Sequence, residues 1–291
     1  MDVRTRALVA LQWLMPQRLL SRIVGWLARR EAGMASHVAI RAFIRVYGVD
    51  MHEAAAPQPQ AYVSFNAFFT RALRADARPL PADPALFVSP ADGVISQLGN
   101  ISDDTLLQAK GHDYRLPDLF DGDTALAALF THGAFATIYL APRNYHRVHM
   151  PWAGSARYLR HVPGSLFAVN AATARALPRL FCRNERMLAV FADGLHWFAL
   201  IMVGAMNVSA IELVLPPVRP ARNRPASTLP PHTTHTLAGP TLARGAEFGR
   251  FNMGSTVIVI ASRGLVAWDA ARGAEQPIRL GAALGRVSDP R

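Results

Sequence analysis

The stretch FNMGSTVIVI, residues 251–260, decides how this chain is read. A Gly-Ser pair stands directly ahead of a run of β-branched residues, Thr256 to Ile260. Such a run reads as a buried strand, with Ser255 as its opening residue. The nucleophilic serine of many hydrolases sits in G-x-S-x-G on a turn from strand to helix. Here a strand follows the serine, so that elbow does not form. Two readings remain: the serine simply starts the strand, or the Gly254–Ser255 bond is itself the place where chemistry happens.

Working outward, the same short β-like runs recur from Phe87 onward, broken by Gly and Pro: FVSPADGVISQLG, FATIYLAP and the alternation within 203–213. Their spacing predicts an α+β fold with an antiparallel sandwich or barrel-like core, not a parallel sheet with regular crossover helices. The apolar stretch 196–215 carries Asn207 and Glu212 and reads as two buried strands. Residues 216–246, rich in Pro, Arg and Thr, read as a long surface excursion.

Ahead of the strands the period is helical. In QRLLSRIVGWLARR (17–30), Leu19, Leu20, Ile23, Val24, Trp26 and Leu27 share one arc, with Arg18, Arg22 and Arg29 opposite. A basic amphipathic helix with Trp on its apolar face suits the membrane interface, and also suits ordinary docking on its own domain. Further helices are predicted over 35–47 and 64–74. The expected organisation is a helical, membrane-associating region over 1–60 and a catalytic domain over 61–291.

The 291 residues are 51% hydrophobic and 18% charged, well away from disorder. An excess of 31 Lys and Arg over 20 Asp and Glu gives a net charge of +11 and calls for an acidic partner. Basic residues are not interleaved with aromatic stacking platforms, which sets nucleic acid behind an anionic membrane surface. Arg4 and Arg6 precede a short apolar run, but no small-residue cleavage site follows it, so a secretory signal is not expected. Pro16 and the arginines cut that run well short of the roughly 20 residues a membrane span needs. The lone cysteine, Cys182, leaves no internal disulfide framework and suits a reducing compartment.

Two further segments set reactive side chains beside turn residues. SPADG puts Asp92 between a strand and a glycine turn, a place a carboxylate also takes simply to turn the chain. PRNYHRVHMPWAG (142–154) sets His146 and His149 three apart, interleaved with Arg143 and Arg147. Helical zinc motifs space histidines by four around a glutamate, no Cys, Asp or Glu adjoins this pair, and the arginines repel a dication, so no metal is expected. Imidazoles beside guanidinium groups suit proton transfer near an anionic substrate, although loop histidines in ordinary hydrogen bonds give the same pattern.

Taken in order, FTRALRADARPL, VSPADGVISQLG, QAKGHDY, YLAPRNYHRVHMPWAG, VPGSLFAVN, LFCRNER, VGA and GRFNMGSTVI resemble the bacterial membrane phosphatidylserine decarboxylases, from about Phe65 to Val259. The resemblance implies a proenzyme that cuts itself at Gly254–Ser255, giving a β chain (1–254) and an α chain (255–291). The serine oxygen attacks the preceding carbonyl, the amide becomes an ester, and elimination followed by hydrolysis leaves an N-terminal pyruvoyl group and ammonia. By motif, His149 is the maturation base, Asp92 orients it and Ser255 attacks. His146 is implied as the proton donor of decarboxylation. The covalent pyruvoyl group made from Ser255 would form a Schiff base with phosphatidylserine and release CO2 and phosphatidylethanolamine, without metal or pyridoxal cofactor.

The same resemblance implies a self-cleaved heterodimer, commonly paired as a homodimer, held peripherally at the cytoplasmic face of the bacterial inner membrane. Two departures stand out: Met253 where relatives carry Leu, and Ser209-Ala210 where they often carry Gly-Ser. A serine esterase using Ser255 and His149, or a non-catalytic lipid-binding relative, are the competing readings. Both would remain a single uncut chain.

Overall fold

The computed structural model describes residues 3–109, 112–206, 211–214, 231–252 and 255–288. Three helices open the chain, α1 (Val3–Leu14), α2 (Gln17–Arg29) and α3 (Met34–Tyr47), followed by a short α4 (Phe65–Phe69). Strands then take over: β1 (Leu86–Val88), β2 (Gly93–Asn100), β3 (Thr105–Ala109), β4 (His112–Arg115), β5 (Ala134–Leu140) and β6 (Arg147–His149). Next come β7 (Gly154–Val162), β8 (Arg186–Asp193), β9 (His196–Val203), β10 (Ile211–Leu213), β11 (Thr234–Thr236) and β12 (Thr241–Leu242). The last are β13 (Glu247–Phe251), β14 (Ser255–Ala261), β15 (Val266–Trp268), β16 (Pro277–Ile278) and β17 (Ala283–Val287).

Nine of these strands form one antiparallel sheet in the order β11-β7-β8-β9-β14-β5-β2-β16, with β12 also on β7. β14 lies inside it between β9 and β5, and all seven of its residues are buried. Strand side chains alternate between faces. Val257, Val259 and Ala261 accordingly enter one apolar cluster, and Ile258 and Ile260 another. The first cluster is closed by two three-stranded sheets, β10-β13-β6 and β1-β17-β15, and the second by short helices carrying Leu119, Leu126 and Phe181. The β-branched run of the opening motif is thus what a strand covered on both faces requires. The layers form a sandwich of sheets; the large sheet ends at β11 and β16 and does not close into a barrel.

Two sequence expectations change. The helix expected over 64–74 stops at Phe69. Ser64 caps it by accepting from Ala67 N at 3.2 Å, but residues beyond Thr70 pair with an earlier segment: Ala55 N donates to Ala72 O and Arg74 N to Glu53 O. Backbone groups used there are lost to a helix ladder. The excursion expected over 216–246 is, over 234–242, the edge of the large sheet, since β11 and β12 pair with β7. Residues 216–230 lie outside the described residues, as do Ser209 and Ala210.

The helix α2 packs on the body through small residues, Ser21, Gly25 and Ala28, all buried. Its large apolar side chains point the other way: Leu19, Ile23, Trp26 and Leu27 are each roughly half exposed. No helix among the described residues is long and apolar enough to cross a membrane.

Candidate active site

Ser255 opens β14 opposite Leu140, the last residue of β5, and is fully buried. By strand alternation its side chain shares the face of Val257 and Val259, the face covered by the β10-β13-β6 sheet. The hydroxyls of Ser255 and Thr256 are both buried without a hydrogen-bond partner among the described residues. Each such group costs roughly 1–3 kcal/mol. The aliphatic side chains that follow, worth about 1.5–3 kcal/mol apiece on burial, hold the strand in place against that cost. Met253 and Gly254, and with them the Gly254–Ser255 bond, lie outside the described residues. The chain just ahead is anchored by Glu212 of β10, which accepts from Arg250 Nε at 2.7 Å and Asn252 Nδ2 at 3.0 Å.

The loop leaving β5 at Leu140 returns as β6 and carries both histidines. Asn144 shapes it, its Oδ1 accepting from Ala141 N at 2.8 Å. His146 is fully buried, its ring 4.1 Å from that of Phe69. Its Nδ1 lies 2.8 Å from the Asn144 carbonyl, which can only accept, so Nδ1 carries the proton. Nε2 is then a bare lone pair, buried and without a partner. The His146 carbonyl accepts from Phe251 N at 2.9 Å. The loop is thereby tied to the strand that runs into the Gly-Ser pair four residues on.

His149 is held differently. Its Nδ1 donates to the Gly245 carbonyl at 2.8 Å, and its Nε2 accepts from the Tyr145 hydroxyl at 3.0 Å. Asp92 is engaged elsewhere. Arg78 grips both of its oxygens, Nε to Oδ1 at 2.9 Å and Nη2 to Oδ2 at 2.7 Å, and Leu280 N donates to Oδ1 at 2.8 Å. Glu53 takes the same Arg78 Nη2 at 2.7 Å. The hydrogen bonds to Asp92 and Glu53 hold the Arg78 guanidinium well above its ordinary range.

The structure therefore gathers Ser255, His146 and His149 at one end of the large sheet. Asp92 makes no hydrogen bond to His149 here; its charge acts across space, favouring the imidazolium. Sequence reasoning passed over Arg78, Tyr145 and Phe69. Phe69 opens the segment FTRALRADARPL and Arg78 lies near its end, and Tyr145 stands between Asn144 and His146 in the histidine motif. Only the tertiary fold shows that they touch the site.

Burial pulls the pKa of His146 down to about 3, with Arg71 pushing the same way against the Asn144 hydrogen bond. Burial also lowers His149, opposed by its bond to Gly245. Both imidazoles are neutral at pH 7, the form a proton acceptor needs. In the unfolded chain each takes up a proton near pH 6.5, which the folded chain resists. Their contribution to stability is complete above about pH 6.5 and is lost below it, for His146 down towards pH 3, by up to about 1.4 kcal/mol per pH unit for each histidine. Urea midpoints measured from pH 8 to pH 4.5 are expected to hold level and then fall below 6.5. A His146→Gln variant is expected to show a shallower fall, and an equal slope would contradict the burial argument.

A family model described as phosphatidylserine decarboxylase matches residues 65–286, and a second, described as PSD, matches 8–48. The phosphatidylserine decarboxylase proenzyme of Alkalilimnicola ehrlichii is 49% identical over 253 residues, 86% of each chain. That of Alcanivorax borkumensis is 48% identical over 269 residues, covering 91% of this chain and 90% of its own. The Bordetella pertussis proenzyme is 46% identical over 292 residues, covering 98% and 95%.

Proposed function

The chain belongs to the phosphatidylserine decarboxylase family, and on that premise we propose that it cuts itself between Gly254 and Ser255 and converts phosphatidylserine to phosphatidylethanolamine and CO2. The observation that carries this reading is the Ser255 hydroxyl, buried without a partner among the described residues at the start of the innermost strand, opposite the end of β5 from which the loop with the two neutral imidazoles departs.

In maturation Ser255 Oγ attacks the carbonyl of Gly254, and a neutral histidine takes its proton. We assign that base to His149, with the Asp92 charge stabilising the imidazolium that results. Tyr145 must release Nε2 of His149 for this, because the phenol now occupies the lone pair. A second reading follows from the same geometry: His146 already has a buried, unoccupied lone pair at Nε2 and would act as the base without rearrangement.

The site fits a pyruvoyl group made from Ser255. The group would stand at the first residue of β14, whose pairing to β5 and β9 fixes its position, and the partnerless His146 Nε2 offers a proton-handling atom nearby. Such a group supplies the carbonyl that captures the substrate amine and takes up the electrons freed as CO2 leaves. Phe69, packed against the His146 ring, keeps water from it, and the bare Nε2 of His146 would take the proton that the substrate ammonium sheds on capture and return it to the α-carbon. After cutting, β14 remains hydrogen-bonded on both sides, which keeps the two chains together as a heterodimer. CO2 release from phosphatidylserine vesicles by the purified chain, blocked by a carbonyl reagent such as phenylhydrazine, tests the activity. No release from cut protein would overturn it.

The exposed apolar face of α2, with Arg18, Arg22 and Arg29 on the same helix, supports peripheral attachment to an anionic membrane, here the cytoplasmic face of the inner membrane. Ile23→Ser with Trp26→Ser is expected to weaken sedimentation with phosphatidylglycerol vesicles by at least about 10-fold while self-cutting proceeds. Undiminished sedimentation would remove α2 from the attachment surface.

A further inference from the structure

Buried arginines in this chain normally saturate their donors. Arg186, 2% exposed, donates to the carbonyls of Asp118, Leu119, Cys182 and Asn184. Arg78 is filled by Asp92 and Glu53. Arg71 is the exception. It is 5% exposed, its Nε has no hydrogen-bond partner among the described residues, its one hydrogen bond to them runs from Nη2 to the Arg143 carbonyl at 3.3 Å, and its Cζ stands 5.5 Å over the Phe68 ring. No carboxylate lies within ion-pair distance of it among the described residues. A buried cation offset only by a ring face and by carboxylates beyond ion-pair distance is costly, and an anion brought to it would relieve that cost.

The place for that anion is adjacent. Arg71 lines a cavity of about 390 Å³ together with Arg143, Tyr145, Glu53, Asp92 and Arg279. Arg78 and Arg279 neutralise Asp92 and Glu53, and exposed Asp50 at the rim accepts from His52 N. Four guanidiniums, of Arg71, Arg78, Arg143 and Arg279, thus face three carboxylates, and the cavity keeps a surplus of one positive charge. The cavity adjoins the reactive loop: the ring of Phe69, two residues before Arg71, lies tilted against that of His146, and Arg147 Nε donates to the Thr70 carbonyl at 3.0 Å.

We propose that Arg71 is the anchor for the phosphodiester of the lipid substrate, an assignment that rests on the decarboxylase reading. The substrate carries two anionic groups, and the chemistry chooses between them. The carboxylate loses its charge as CO2 departs, so a cation fixed on it would favour the ground state and slow the reaction. The phosphodiester keeps its charge throughout. The reach also agrees. Val94 on the cavity wall pairs with Tyr139, which pairs with Thr256, placing the wall about 10 Å, two strand spacings, from β14. From the substrate amine through an extended headgroup to a guanidinium donor on its phosphate is about 9 Å.

Binding substrate, transition state and product equally, Arg71 sets KM and leaves kcat alone. The test uses self-cut full-length enzyme and a short-chain, water-soluble phosphatidylserine, so that vesicle attachment does not enter. Arg71→Met is expected to cut itself normally and to raise KM roughly 10- to 100-fold with kcat within about twofold; Arg71→Lys, which keeps the charge and loses the fork, falls between. Unchanged KM, or a fall in kcat alone, in either variant overturns the assignment.

A crystal of wild-type enzyme soaked with sn-glycero-3-phosphoethanolamine gives a check independent of how the variants fold. Its phosphate is expected on Arg71, and a phosphate held elsewhere overturns the proposal. Inorganic phosphate is expected to compete far more weakly than that headgroup. Equal inhibition would make this a general anion site and sink the lipid assignment. Loss of CO2 release by wild-type enzyme would instead count against the decarboxylase reading itself.

Discussion

Ser255→Ala is expected to leave the chain in one piece at 31.7 kDa and to release no CO2 from phosphatidylserine. The substitution removes the only atom that can attack the Gly254 carbonyl and the precursor of the reactive carbonyl together, so the loss is complete and not graded. Folding should not suffer. Ser255 Oγ is buried without a partner, and a methyl group there relieves an unsatisfied hydroxyl, so the variant is expected to unfold at the same temperature as the precursor or slightly above it. Mass spectrometry and a melting curve on one preparation read both outcomes. A cut chain from the alanine variant would place the chemistry at another residue.

The second large effect separates the histidines. His149→Ala is expected to block cutting. His146→Ala is expected to permit cutting and to reduce decarboxylation by about 10²- to 10⁴-fold, the usual worth of a positioned proton donor. The structure makes this a sharp comparison, because the two rings present different faces. His149 has both nitrogens occupied, by Gly245 and Tyr145, whereas His146 has Nε2 open. If His146→Ala blocks cutting and His149→Ala does not, the roles are exchanged and the second reading given above holds. Tyr145→Phe adds a third point. Freed of the phenol, His149 Nε2 is available, and cutting is expected to proceed at least as fast as in the parent chain.

Much of this was legible in the residues. The β-branched run after Ser255 demanded a strand covered on both faces, and β14 is one. The helices expected over 17–30 and 35–47 formed, as Gln17–Arg29 and Met34–Tyr47, as did the two strands within 196–215. What failed had a long-range cause. Residues 70–74 have good helical composition, but they serve as an extended partner for 53–55. Residues 234–242 look like loop and become sheet edge because β7 has an open side for them. At the site, motif and spacing singled out Asp92, His146, His149 and Ser255, yet not the hydrogen bonds among them. That Asp92 is clamped by Arg78, fourteen residues earlier, depends on how the segment ahead of the sheet folds back, and no local pattern encodes it.

The inward face of α2 shows the same limit. Sequence periodicity identifies an apolar arc and leaves open whether it packs against the protein's own body. Packing answers this through residues with little signal of their own: Ser21, Gly25 and Ala28 are small enough to let the helix lie close to the body, leaving Ile23 and Trp26 outside.

The intact mass of the purified full-length protein tests the central claim most directly. The account predicts two species, residues 1–254 and residues 255–291, the smaller with an N-terminus blocked to Edman degradation and a mass lower than its encoded sequence by the conversion of serine to pyruvoyl. A single uncut chain of 31.7 kDa, in protein that is folded and given time to mature, would contradict it.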